Sequence, residues 1–179
     1  MQVVTKNKFK KIKMGNEPKI LRKILIITFD DNYLKDIGEI IIKKKIRIID
    51  DKGYLNYENK DRNLIYTLLS NQIKRTWYHH YTGTYGAIII NEGNDCLDNL
   101  KEINNILNSK IIQKRPLLIV YDKRKILEKD SKYLENLRYL LTEKQIIYNV
   151  IYIDFKINHL NSELFYGLDW LYKQILKII

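Results

Sequence analysis

Residues 164–178 read Leu164-Phe165-Tyr166-Gly167-Leu168-Asp169-Trp170-Leu171-Tyr172-Lys173-Gln174-Ile175-Leu176-Lys177-Ile178. Leu164, Leu168, Leu171, Ile175 and Ile178 step by 4, 3, 4 and 3, so all five fall on one face of a helix. A stripe of that width packs against a sheet, and the sheet is legible upstream. Short apolar runs rich in Ile, Val and Tyr stand at Ile24–Phe29, Ile46–Ile49, Leu64–Leu68, Ala87–Ile90, Leu117–Tyr121 and Val150–Phe155. Their length and polar borders predict buried strands.

Most of these runs are separated by segments of helical spacing. Tyr33, Ile37, Ile40 and Ile41 make one stripe, Leu97, Leu100, Ile103 and Leu107 a second, and Leu134, Leu137 and Leu141 a third. Strands alternating with helices give an α/β fold: a mostly parallel six-stranded sheet with helices on both faces. The alternation breaks once. Asp51-Lys52-Gly53-Tyr54 supplies turn residues and no helix, so Ile46–Asp50 and Asn63–Leu68 are expected to form an antiparallel hairpin at one edge.

The chain has 179 residues, enough for one domain, and its 14 Tyr, 4 Phe and 2 Trp exclude a solvated, disordered chain. Residues 1–20 are basic and aperiodic and are read as an arm; residues 21–179 form the domain. The single cysteine, Cys96, excludes an internal disulfide and a multi-cysteine metal site and points to a reducing compartment. No segment approaches the roughly 20 apolar residues of a membrane span, and no apolar core follows the N-terminal lysines, so a cytoplasmic location is expected. Lys and Arg number 32 against 21 Asp and Glu, a net +11. That balance suits an anionic partner. Yet Ile, Lys, Asn and Tyr abound together and Ala87 is the only alanine, a skew that AT-rich codons explain, and the Lys residues are spread among Asp and Glu. Nucleic acid is therefore not the expected partner, and a basic nucleic-acid-binding domain is kept only as a rival whose binding would depend steeply on salt.

Three runs carry a family resemblance. Leu164-Phe165-Tyr166-Gly167-Leu168-Asp169-Trp170-Leu171 resembles the Leu-Tyr-Glu-Gly-Leu-Asp-Trp-Leu run opening the last helix of the ADP-ribosylation factor (Arf) family of small GTPases. Ile73-Lys74-Arg75-Thr76-Trp77-Tyr78-His79-His80-Tyr81 is similar to that family's switch II run, Ile-Arg-Pro-Leu-Trp-Arg-His-Tyr. Gly86-Ala87-Ile88-Ile89-Ile90-Asn91-Glu92-Gly93-Asn94-Asp95 is similar to its fourth strand and the turn after it. Trp77 and Trp170, the two tryptophans, both fall on family tryptophan positions. The resemblance spans about 21–179 and implies a small-GTPase-like (P-loop NTPase) fold.

The same alignment shows what the nucleotide motifs have become. A phosphate loop needs glycines whose backbone N–H groups wrap the β-phosphate, then Lys, then a Mg²⁺-binding hydroxyl. The family's Gly-Leu-Asp-Ala-Ala-Gly-Lys-Thr is matched by Thr28-Phe29-Asp30-Asp31-Asn32-Tyr33-Leu34-Lys35. Only Asp30 agrees. No glycine stands between Gly15 and Gly38, and Asp31 is placed to cap the helix itself. The Asp-x-x-Gly-Gln positions, which hold Mg²⁺ and orient the attacking water, fall on Tyr66, Thr67, Leu68, Leu69 and Ser70. The guanine-reading Asn-Lys-x-Asp becomes Asp122-Lys123-Arg124-Lys125, which turns its closing carboxylate into an amine. A donor facing donors forfeits those hydrogen bonds at about 1–3 kcal/mol each. Ile157-Asn158-His159 replaces the last base-contacting loop.

These losses imply a degenerate, pseudo-GTPase member of the fold: no catalytic residue, no metal site, no cofactor, and a site plugged by Phe29, Tyr33, Leu34, Leu68 and Leu69. Its role would be protein binding in intracellular or vesicle trafficking. The rival within the fold is an atypical GTPase holding GTP or GDP with Mg²⁺ in a rearranged pocket through Asp30, Lys35, Asp122 and Lys123. Trp77 and Tyr81, spaced i, i+4, make an aromatic face that either packs in the core or serves a partner. The resemblance assigns that face and the edge hairpin, with Ile48, to the surface that effectors or scaffolds grip. His79-His80 point about 100° apart on a helix and cannot share a metal, and Cys96 has no nearby histidine to make it a nucleophile. Family myristoylation needs Gly at position 2, where Gln2 stands; Met14-Gly15-Asn16 resembles such a start, but Lys19 replaces the usual Ser or Thr and too little chain follows for a membrane helix. The arm is left with weak contact to anionic membranes, about 1 kcal/mol per Lys near the surface.

Overall fold

The structure, a computed structural model, describes residues 21–42, 53–91, 97–125, 131–155 and 162–178. The central strands are apolar on both faces, because helices cover both. Strands β1 (Arg22–Thr28), β3 (Leu64–Leu69), β4 (Thr84–Asn91), β5 (Leu117–Asp122) and β6 (Tyr148–Ile153) are parallel, and β2 (Tyr54–Asn59) runs antiparallel to β3. The order is β2-β3-β1-β4-β5-β6, which sets β1 in the middle. Along β1 the side chains alternate between two cores. Ile24 and Ile26 face α1 (Asp31–Ile42) and α4 (Ser162–Lys177), whereas Leu25 and Ile27 face the layer of α2 (Leu97–Leu107) and α3 (Ser131–Glu143).

Helix α4 buries Leu164, Leu168, Leu171 and Ile175 as its spacing predicts, while Ile178, expected on the same face, is 38% exposed at the fraying end. Gly167 permits the close approach. A Cβ there would stand 2.9 Å from Ile151 Cδ1 and 3.1 Å from Leu118 Cδ1, so the backbone of α4 rests on the methyls of β5 and β6.

Three expectations about the elements need correction. The edge hairpin exists, but its outer strand is Tyr54–Asn59, and the turn lies at residues 60–63, not at 51–54. Asn59 Oδ1 accepts the Arg62 N–H at 3.2 Å and Asn63 takes φ 52°, a left-handed position asparagine tolerates. Ile46–Ile49, the strand expected there, lies outside the described residues, as do Ile48, Cys96, the arm and Ile157–His159. Strand β6 begins two residues earlier than expected and ends at Ile153, so Phe155 leaves the sheet and turns its ring toward α1. The run Asn71–His80 is a 3₁₀ segment kinked at Ile73 (φ −100°, ψ 19°) rather than an α-helix.

Gly53 opens β2 at φ 70°, and its carbonyl accepts the Ser70 N–H at 2.9 Å. A Cβ at that place would strike Ile73 Cγ2. Gly53→Ala is therefore expected to cost about 1–3 kcal/mol through both strain and the displaced Ile73, read as a lower urea midpoint at unchanged m-value.

Candidate functional site

In an open α/β sheet the functional crevice lies beyond the C-terminal ends of the strands. Here that rim is formed by the loop after β1, the N-terminus of α1, the loop after β5 and the segment after β6. The β1–α1 loop is built by local hydrogen bonds. Thr28 Oγ1 accepts from Asp30 N–H at 3.1 Å and donates to Asp30 O at 3.0 Å, and Asp30 Oδ1 accepts from Asn32 N–H at 2.9 Å. Asp30 is thus the residue that caps α1, the part expected of Asp31.

Asp31 does something else. Its Oδ2 accepts from Ser70 Oγ at 2.9 Å and its Oδ1 from Asn71 N–H at 2.8 Å, so the first turn of α1 is tied to the end of β3. Ser70 is buried, and each of its polar atoms is engaged: N–H to Gly53 O, Oγ additionally to Gln72 N–H at 3.1 Å, and O to Trp77 Nε1–H at 2.9 Å.

Across the rim, Tyr33 projects from α1 over β5. Its hydroxyl donates to Asp122 Oδ2 at 2.7 Å, and Phe155 meets its ring edge-on at 4.6 Å between centroids. Asp122 is fully buried. Arg124 forks it: Nη2 reaches Oδ2 at 2.7 Å, Nε reaches Oδ1 at 2.9 Å, and the Arg124 backbone N–H donates to Oδ1 at 3.0 Å. The same guanidinium lies 3.3 Å from Asp154 Oδ1. Burial opposes the charge on Asp122, but the hydrogen bonds from Arg124 and Tyr33 together outweigh it and hold the carboxyl below the usual range. Lys123 pairs with Glu163 on α4 at 3.1 Å, and Lys35 points to solvent.

Of the residues assigned to a nucleotide on sequence grounds, Asp122 and Lys123 are bound by the protein's own groups, Asp30 is a helix cap, and Lys35 touches none of them. Leu34, Leu68 and Leu69 are buried in the two cores, and Phe29 lies against Trp77 at 5.8 Å between centroids. Arg124 and Ser70, which organise the rim, carried no role in the sequence reading. An acid two residues before an Arg in the loop closing β5 is the trace Arg124 leaves.

Trp77 and Tyr81, assigned to a partner surface, are only 2% and 6% exposed and pack among Leu25, Ile27 and Ile106. Burial, with Glu102 adding to it, pushes the Tyr81 phenol up to about 12. The large apolar side chain this segment offers to solvent is Tyr78, 60% exposed, beside a groove of about 400 Å³ between the segment and α2 whose lining includes Trp77 and Tyr81 with Lys74, Glu102, Ile106 and Ile111. Lys74 and Glu102 close one side of it at 3.0 Å. The His79 ring lies tilted against Tyr78 and the His80 ring tilted against Tyr54, so the two imidazoles take different partners.

No family model and no curated protein matches this sequence. Among solved structures, the chain is similar to the Arl6 (BBS3) small GTPase of Trypanosoma brucei, which was determined with the bound nucleotide analogue GppNp. The TM-score is 0.64 at 14% identity, covering 87% of this chain and 98% of that one. The likeness joins the observed strand order and antiparallel edge to one architecture: the chain has an Arf-like small-GTPase fold.

Proposed function

We propose that this protein is a protein-binding module on the small-GTPase fold that neither holds nor hydrolyses GTP. The observation that carries the reading is the Asp122 carboxylate. It stands at the base-reading loop, and both of its oxygens are taken by Arg124 and Tyr33. A guanine could bind there only by displacing a buried, charge-assisted network. The phosphate end fits a nucleotide no better. Leu34 stands at the lysine position and Asp31 adds negative charge near it, while Tyr66, matched to the metal carboxylate by sequence, pairs with Ile24 in mid-sheet and lies away from that end.

The rival, an atypical GTPase, needs Lys35 and Lys123 to converge on one anion; Lys123 is instead paired with Glu163. A protein partner is favoured by Tyr78 and the groove beside it, an exposed aromatic next to a concave surface. Placement in intracellular or vesicle trafficking, in the cytoplasm or at the periphery of membranes, rests on the sequence resemblance, and the basic arm supplies weak contact with anionic lipid.

Isothermal titration with GDP and GTP, with and without Mg²⁺, is expected to give no binding at micromolar concentration, and radiolabelled GTP no release of phosphate. Micromolar affinity for either nucleotide overturns the proposal. A photocrosslinker at position 78 is expected to capture protein in cells where one at Tyr139, more exposed at 72% but on α3, does not.

A further inference from the structure

We propose that Asp31 is an internal ligand, a latch that holds the segment Asn71–His80 and the entry of β2 in one arrangement and releases them together when its contacts are lost. The contacts converge on two residues. Asp31 Oδ2 accepts from Ser70 Oγ and Oδ1 from Asn71 N–H. Ser70 passes the constraint in two directions: through its N–H to Gly53 O at the start of β2, and through its O to Trp77 Nε1–H, 7 residues along the segment. Ile73 N–H also donates to Ser70 O at 3.2 Å. The segment is 3₁₀ and kinked at Ile73 and so lacks a continuous α-helical ladder; apart from these bonds its near end is held by Ile73, packed on the core, and by the Lys74–Glu102 pair. A charged acceptor at an α-helix N-terminus is a favourable anchor, because the α1 dipole stabilises the same carboxylate that the segment's donors bind.

The latch involves none of the groups that engage Asp122, so it stands or falls independently of nucleotide or partner. It differs from simple helix capping because Asp30 already caps α1. Removing Asp30 and removing Asp31 therefore separate the two roles.

Hydrogen exchange on the full chain, read by mass spectrometry, tests it. Asp31→Ala is expected to raise exchange about tenfold at residues 70–81 and at the start of β2, with β4, β5 and α3 unchanged. Asp30→Ala is expected to raise exchange only in the first turn of α1. Ser70→Ala leaves α1 intact and is expected to reproduce the pattern at residues 70–81, which keeps the test open should Asp31→Ala not fold. Unchanged exchange at 70–81 in Asp31→Ala or Ser70→Ala, or equal loosening there by Asp30→Ala, overturns the proposal.

Discussion

Trp77→Ala is expected to destabilise the protein by about 3–5 kcal/mol, the usual cost of emptying a buried aromatic site. In a chain of this size that lowers Tm by roughly 6–20 °C. The indole lies at 2% exposure among Leu25, Ile27 and Leu69, tilts against Phe29, and donates Nε1–H to Ser70 O. Truncation loses dispersion contacts, leaves a cavity and removes one of the two donors to the Ser70 carbonyl, at the hub that joins α1, β2 and β3. Trp77→Phe separates these terms. It refills much of the volume but lacks the donor, so it should recover more than half of the loss and leave about 1 kcal/mol for the hydrogen bond. Chemical denaturation of the two variants is the measurement. Equal stability of Trp77→Ala and the parent would mean that the ring contributes nothing to the core.

The same residue shows why the site was only partly legible in sequence. Trp77 and Tyr81 at i, i+4 define a face, and spacing alone does not say whether that face meets the core or the solvent. Burial decides it, and burial depends on the tertiary placement of a segment that turned out 3₁₀ and kinked. Strands fared better. Ile24–Phe29, Ala87–Ile90 and Leu117–Tyr121 are apolar without interruption because central parallel strands are covered on both faces, and the pattern records that directly. The outer strand Tyr54–Asn59 is half solvated and alternates, Tyr54-Leu55-Asn56-Tyr57-Glu58-Asn59, a weaker signal than the Ile-rich run at 46–49. The long-range hydrogen bonds that organise the rim join residues 39, 40 and 89 apart. No local pattern encodes such separations. The sequence resemblance implies that Asp31 and Asp122 stand at ligand-binding positions, but nothing in it tells that Ser70 and Tyr33 satisfy them.

The network around Asp122 gives the second large effect. Asp122→Ala removes the carboxylate that accepts from Tyr33 Oη–H and the fork for Arg124. Tyr33 is 6% exposed, so its hydroxyl loses its Asp122 partner inside the core, whereas Arg124 is about a third exposed and recovers hydration. The expected cost is about 2–4 kcal/mol, most of it from the tyrosine side and the emptied carboxylate site. Tyr33→Phe in the Asp122→Ala background should then cost little, because its hydroxyl has already lost that acceptor, while Tyr33→Phe alone costs about 1–2 kcal/mol; the difference is the coupling. Acid titration gives an independent check. The carboxyl of Asp122 is held below its ordinary range in the folded protein, so the unfolded chain takes up that proton first as pH falls. Its contribution is complete above the unfolded carboxylate value, near pH 4, and is lost as pH drops toward the lower folded value. The acid limb of the parent's stability curve should therefore be steeper than that of Asp122→Asn, with the two running parallel above about pH 5. Parallel curves throughout would mean that Asp122 titrates alike folded and unfolded, and that the network around it does not hold its charge.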